Sequence, residues 1–418
     1  MSPTVRLQLS VMMFLQYFVW GAWYVTMGTY LLTTLHFSAQ QSGLLYGTTA
    51  LAAMVSPFFV GMVADRFFAT EKILATLHLV GAVLLFYISG LTTFGSFYPL
   101  LLTYTLLFMP TLALTNSLSF HQMTDTGKQF PGVRVLGTIG WIAAGVAISA
   151  LGAEAVALQF KVAAGASVLL GLFCFTLPHT PPARIGHKVQ LRDILGLDAL
   201  ELMKERSFAV FVLGSFLVCI PLQFYYAFTN PFLNELGMTN TAGIQSLGQV
   251  SEIAFMLVMP LFFARLGVKY MLLVGMLAWV ARYALFAIGA PDGIRSMIIA
   301  GIVLHGICYD FFFVTGFIYT DKKAGPAIRA QAQGFLVLVT QGLGMLIGAQ
   351  VSGVLFNRIV IGEGQVLMKN WQQFWFIPAA AAAIVAVIFF LLFRDRADEP
   401  AVKQEGFDVG ATSATPST

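Results

Sequence analysis

The feature that most constrains this chain is a succession of apolar runs of about 20 residues, each long enough to cross a ~30 Å hydrocarbon core as a helix. Hydrophobic residues make up 58% of the chain and charged residues only 10%, against about 25% charged in a soluble domain. Such a chain cannot cover itself with polar surface. Lipid offers no partner to backbone N–H and C=O groups, so spanning segments must be helices or closed barrels, and runs this long and continuously apolar fit helices. The fold class is therefore that of an all-α membrane protein. Cys174, Cys219 and Cys308 lie inside apolar runs, which gives no support to a disulfide framework or a zinc site. The first run is too long for a signal peptide and lacks a small-residue cleavage site, so it reads as the first span.

Twelve spans are placed near residues 8–34, 39–64, 72–91, 97–120, 133–152 and 156–178, then 208–236, 243–264, 268–290, 295–319, 327–356 and 372–393. A polar, charged segment divides them at the midpoint. The expected organisation is an N-terminal six-helix bundle (1–178), a linker (179–207), a C-terminal six-helix bundle (208–394) and a disordered tail (395–418). Lys and Arg concentrate in cytoplasmic loops. With the N-terminus inside, only Arg295, Arg358 and Lys369 of the 23 Lys and Arg residues fall outside, and Lys161 and Arg282 fall within spans. Both termini, the linker and the tail are then cytoplasmic. The net charge of +4 follows from this asymmetry and implies no nucleic-acid partner.

Two bundles joined by a polar linker is an arrangement of secondary transporters that rock around a midplane site. In the loop GMVADRFFATEK, Gly61, Asp65 and Arg66 resemble the G-x-x-x-D-R signature of the major facilitator superfamily. The corresponding second-half loop, FFARLGVK, has Arg265 and Lys269 but no Asp.

An ionisable side chain at bilayer depth is expensive and therefore a functional candidate by default. The candidates are Glu252, Arg282, His305 and Asp310, with Arg134 and Lys161 at or within spans and His78 and His121 at shallower or less definite depth. At ~1.5 Å per residue, Glu252 and His305 sit roughly 15 Å in from the outer surface, near the midplane. Arg282 reads as a structural ion pair for one carboxylate, leaving the other to take up a proton outside and release it inside; Asp310 and Glu252 both qualify. Gln223 and Gln249 add amides, and Gln249 shares a helix face with Glu252. Amides, aromatic rings and a carboxylate suit a ligand with a flat face and several hydroxyls, such as a base attached to a ribose. The aromatic residues Trp20, Trp23 and Tyr24, and the run DFFFVTGFIY, read as lipid-facing or interfacial packing.

The segments FLQYFVWGAWYVTMGTYL, FMPTLALTNSLSF, FPGVRVLGTIGW, TLPHTP, LLGLDALELMK, SEIAFMLVMPLFFARLGVK, CYDFFFVTGF and PAIRAQAQG resemble, in order and along essentially the whole chain, those of bacterial nucleoside:proton symporters of the major facilitator superfamily. The resemblance implies proton-driven nucleoside import across the bacterial cytoplasmic membrane by a multi-pass protein, with protons as coupling ion, no further cofactor and no metal. By the same resemblance Arg134, Thr138, Gln223, Gln249 and Glu252 are substrate-binding and Asp310 is the acid of span ten. Trp141, Tyr226, His305 and Tyr309 stand where such relatives carry Phe, Asn, Tyr and Phe, and are expected to line the same pocket and alter its preference. The protein is expected to be a monomer. The alternatives are a carrier of another hydroxylated solute, such as a sugar or nucleobase, or a drug/proton antiporter. A membrane enzyme or sensor has no support from metal-ligand clusters, nucleophile–base pairs or a signalling domain, and no phosphate-binding loop suggests ATP-driven transport.

Overall fold

The computed structural model describes residues 1–59, 68–181, 197–359 and 367–394. The expected loop signature Gly61, Asp65 and Arg66 lies outside them, as do most of the linker and the tail. Among the described residues there is no strand, and nine helices are long and apolar enough to cross a membrane.

In chain order these and the shorter helices are α1 (Pro3–Tyr24), α2 (Ala39–Phe59), α3 (Thr70–Ile88), α4 (Phe94–His121), α5 (Thr126–Ala150), α6 (Leu158–Cys174) and α7 (Arg206–Glu235). Then follow α8 (Thr241–Gly289), α9 (Arg295–Ala324), α10 (Gln331–Ile359) and α11 (Leu367–Leu392). Local chemistry sets the ends. Ser2 caps α1 by accepting from the Val5 amide at 3.3 Å, with proline in its first turn, and Asp125 caps α5 through the Lys128 amide at 3.1 Å. Several helices run past the apolar windows read from sequence, because a helix continues into water wherever a cap, and not a change of polarity, ends it.

The spans expected at 243–264 and 268–290 form one continuous run, α8, folded into two arms at Gly267, whose φ of 65° and ψ of −179° only glycine adopts without strain. In α9 the chain passes through a π-helical turn at Asp310–Val314, and α10 contains another at Leu338–Gly344. Such turns widen a helix by one residue and re-aim the side chains beside them.

Helices α1 to α6 pack among themselves, as do α7 to α11; the two groups meet chiefly where α2 runs along α10 and α5 along the first arm of α8. The meeting is closest at the end remote from the N-terminus, the far end. There Thr29 donates to Asn230 Oδ1 at 2.5 Å, the Ala39 amide donates to Asn357 Oδ1 at 3.1 Å, and Gly243 N donates to Ser149 Oγ at 2.9 Å. Glu154, in the α5–α6 turn, accepts from the Thr241 hydroxyl and, at 2.9 Å, from the Ala242 amide, capping α8 from the opposite group. Glycines let the backbones touch: a methyl at Gly28 would lie 2.6 Å from the Ala227 carbonyl oxygen, and one at Gly353 2.6 Å from that of Ala39.

Leu257, Leu261, Phe86, Val387 and Leu391 point outward and are well exposed, an apolar girdle suited to lipid. Trp23 belongs to the interior instead: it is fully buried against Tyr104 and Phe160, correcting its reading as interfacial. The run after Tyr309 is corrected in the same way, since Phe311, Phe312 and Phe313 are buried. Lys161 is exposed on the outer surface of α6, so it is no buried charge.

Candidate functional site

Between the two helix groups lies a partly open cavity lined by residues of both. From the first group α1 contributes Tyr17, Trp20 and Tyr24, and α5 contributes Arg134, Thr138 and Trp141 at intervals of three and four residues, one helix face. From the second group come Tyr226, Gln249 and Glu252, then His305, Tyr309 and Phe313 at successive four-residue steps along α9. Gln341, from the π-helical turn of α10, and Thr49 complete the polar lining. Trp141, Tyr226 and Gln249 also border a smaller void that reaches Ala242 and Gln245 toward the far end, so these three form a partition.

The walls are aromatic. Trp141 meets Trp20 edge-on at 5.3 Å between ring centroids, and Tyr24 lies 5.9 Å from Tyr226 across the gap between the groups. Rings in this disposition offer faces for a planar ligand to stack on. The Arg134 guanidinium carbon sits 4.1 Å over the Tyr17 ring, a cation–π contact that steadies the side chain while leaving its N–H groups to the cavity. Glu252 lines the same cavity from the second group.

Glu252 and His305 form the polar corner of the second group, with His305 Nε2 3.9 Å from Glu252 Oε2. Gly306 and Ser251 set this spacing. The Gly306 amide donates to Ser251 Oγ at 2.9 Å, and a methyl group at Gly306 would lie 2.5 Å from the Ser251 carbonyl oxygen, so α9 and α8 touch backbone to backbone beside the two side chains. Behind His305 lies Arg282, fully buried, its Nη2 3.0 Å from His305 Nδ1 and its guanidinium carbon 4.2 Å over the Tyr225 ring. The ion pair with a carboxylate expected of Arg282 is therefore replaced by a bond to an imidazole. The ring stands between the guanidinium and Glu252 and takes the proton-donating N–H itself.

Two expected site residues lie off the cavity wall. Gln223 is buried behind Tyr24, whose hydroxyl it approaches, and its amide nitrogen has no hydrogen-bond partner among the described residues. Asp310 is fully buried at the start of the π-helical turn, and neither carboxyl oxygen has a hydrogen-bond partner among the described residues.

Sequence reasoning assigned Trp20 and Tyr24 to the lipid boundary, yet both line the cavity. Their spacing by four, in step with Tyr17 three residues before Trp20, was the available signal, but an aromatic stripe reads the same facing lipid or ligand. It missed Thr49 and Gln341 altogether. It also missed the far-end cluster of Thr29, Glu154, Asn230 and Thr241. There the signal was Asn230 and Asn234 four apart within an apolar run, which bond each other and Thr241.

A bundle of apolar helices in two groups with a polar and aromatic cavity between them, and a buried acid behind its wall, is the architecture of a membrane transporter. A family model described as a nucleoside H+ symporter matches residues 3–398. The putative nucleoside transporter YegT of Escherichia coli (strain K12) is 43% identical over 417 residues, covering 97% of this chain and 98% of that relative. The xanthosine permease of the same organism is 34% identical over 415 residues, covering 96% and 98%. A crystal structure of the nucleoside transporter NupG superposes with a TM-score of 0.84 at 33% identity, covering 94% of this chain and 100% of that one. The chain belongs to the nucleoside H+ symporter family, whose members are transporters of the major facilitator type in the bacterial cytoplasmic membrane.

Proposed function

We propose that this protein imports nucleosides together with protons, as a monomer, by rocking two six-helix bundles, residues 1–178 and 208–394, about the central cavity. The cavity carries the reading: it lies between the two helix groups and is lined, among the described residues, by aromatic rings, the cation Arg134 and the carboxylate Glu252. A twelve-span topology is supported by the two arms of α8, each long enough to be counted as a span, and by the shorter apolar helix Leu158–Cys174. The distribution of Lys and Arg supports cytoplasmic termini. With that orientation the far end is the outer face, and its hydrogen bonds between groups close the cavity to the outside.

In the proposed cycle the base stacks among Trp141, Tyr226 and Trp20, while Gln249, Thr138 and Arg134 hold its edge or the sugar. Glu252 accepts from ribose hydroxyls. Asp310 carries the proton: with no hydrogen-bond partner among the described residues, its carboxyl can gain or lose a proton without first breaking an ion pair. Gln223 acts through Tyr24. Arg134 and Thr138, from α5, and Glu252 and His305, from the second group, would then grip one ligand from both sides, so binding and domain motion are linked.

The test is uptake of labelled uridine and adenosine into proteoliposomes with and without an inward proton gradient, competed by unlabelled nucleosides, nucleobases and sugars. Gradient-dependent uptake blocked by nucleosides alone supports the proposal. Uptake blocked by a sugar or a nucleobase and not by nucleosides moves the cargo to that solute.

A further inference from the structure

The Arg282–His305 contact has no role in proton coupling or in lining as described above, and it fixes something chemically definite. An arginine can only donate, so the nitrogen facing it, His305 Nδ1 at 3.0 Å, is the acceptor of the ring. The neutral imidazole then carries its hydrogen on Nε2, the atom that faces Glu252 Oε2 at 3.9 Å. Two rings pack against the imidazole and restrict its rotation: Tyr225 stacks on it at 5.5 Å with an interplanar angle of 19°, and Tyr309 at 5.9 Å and 28°. Gly248 also lies against its Cβ. Arg282 itself is held over Tyr225 and does not reach the cavity wall.

The result is a donor and an acceptor side by side at the cavity edge, too far apart to bond each other. An ordinary hydrogen bond spans about 2.8 Å, so a hydroxyl placed between them accepts from Nε2–H and donates to the carboxylate at once. A neighbouring hydroxyl can donate to the second carboxylate oxygen. Two adjacent hydroxyls on one ring are the vicinal diol of a ribose.

We propose that Arg282 is a positioning residue that locks His305 as an Nε2–H donor, and that the His305–Glu252 pair selects ribonucleosides over nucleosides lacking the 2′- and 3′-hydroxyls. This rests on the nucleoside reading, with Glu252 at the ribose hydroxyls, and adds to it the donor role of His305 and the residue that fixes it. Loss of a hydroxyl bonded to a charged group weakens binding by about 10- to 100-fold.

The experiment measures binding of uridine and 2′,3′-dideoxyuridine to purified protein in nanodiscs, for the parent and for Arg282→Lys, Arg282→Met, His305→Phe and the double variant Arg282→Met/His305→Phe. The parent is expected to prefer uridine by about 10- to 100-fold. His305→Phe and Arg282→Met each lose most of that preference, the double variant loses no more than either, and Arg282→Lys recovers part of it. Selective ¹⁵N-histidine spectra of the parent are expected to show His305 with a bare Nδ1 and a protonated Nε2, and Arg282→Met a mixture. Equal binding of both ligands by the parent overturns the diol proposal while leaving nucleoside transport standing. Failure of folded protein to bind any nucleoside instead overturns the proposed function. A protonated Nδ1 in the parent spectrum removes Arg282 from its role even where Arg282→Met does not fold.

Discussion

Replacing Glu154 by alanine should open the far end. In the parent its carboxylate accepts from the Thr241 hydroxyl and the Ala242 amide across the two helix groups, and from Ser149 within its own. Hydrogen bonds to a charged group contribute roughly 1.5–3 kcal/mol each, and a carboxylate at a helix N-terminus adds a few tenths more. Glu154 is half-buried, and water replaces part of what is lost once the groups separate. A net loss of about 1–3 kcal/mol for the pair is the reasonable magnitude, equivalent to a shift of roughly 5- to 150-fold toward the state open at that end. Spin labels at Val156→Cys and Asp292→Cys, in loops of opposite groups at the far end, would report the distance distribution by double electron–electron resonance. The native cysteines are buried and so interfere little. The parent should give a short-distance population, and Glu154→Ala a longer one at its expense. Identical distributions would refute the latch, because a contact whose removal moves no population does not hold the groups together.

Asp310→Asn is expected to abolish gradient-driven accumulation of uridine while retaining binding and counterflow; accumulation equal to the parent would exclude Asp310 as the proton carrier. Glu252→Gln should weaken uridine binding by about 10-fold or more, the loss of a charged hydrogen-bond partner, measured by titration calorimetry in detergent. Gly306→Ala should destabilise the protein by about 1–3 kcal/mol through overpacking against the Ser251 backbone, seen as a lower Tm together with weaker binding. A cavity-wide repacking that leaves both unchanged would show that the α8–α9 contact is softer than its geometry. Gln16→Leu should lower Tm without altering affinity, since Gln16 bonds Thr111 at 2.7 Å and His78 at 2.8 Å in a buried network away from the cavity wall.

Hydropathy made the helical membrane class legible, because the lipid constraint on backbone hydrogen bonds leaves few solutions. It also placed a break between residues 264 and 268, where Arg265 and Lys269 interrupt the apolar run, and the φ of Gly267 shows how the chain turns there. Rarity was the useful guide to the site: Arg134, Glu252 and His305 stood out because charge at that depth is costly, and all three face one cavity. The partner of Arg282 was illegible for the converse reason. Charge arithmetic pairs an arginine with a carboxylate, whereas the register of α9 against α8 sets an imidazole in front of it. Trp20 and Trp23, three apart in one helix, went to different surroundings, one to the cavity and one to the interior of the first group. Their shared hydrophobicity gave no means to separate them.

The glycine contacts at the far end bear on leakage. Where Gly28 meets Ala227, Gly43 meets Ala349 and Gly353 meets Ala39, the backbones approach so closely that even a methyl group has no room. A water molecule, larger than a methyl's clearance there, cannot thread the joint, and a proton wire needs a file of such molecules. Insulation at these crossings therefore comes from steric exclusion by the main chain, independent of side-chain rotamers or lipid composition. A carrier insulated in this way can afford polar groups such as Asn230 and Glu154 in the same seam without short-circuiting the gradient that drives it.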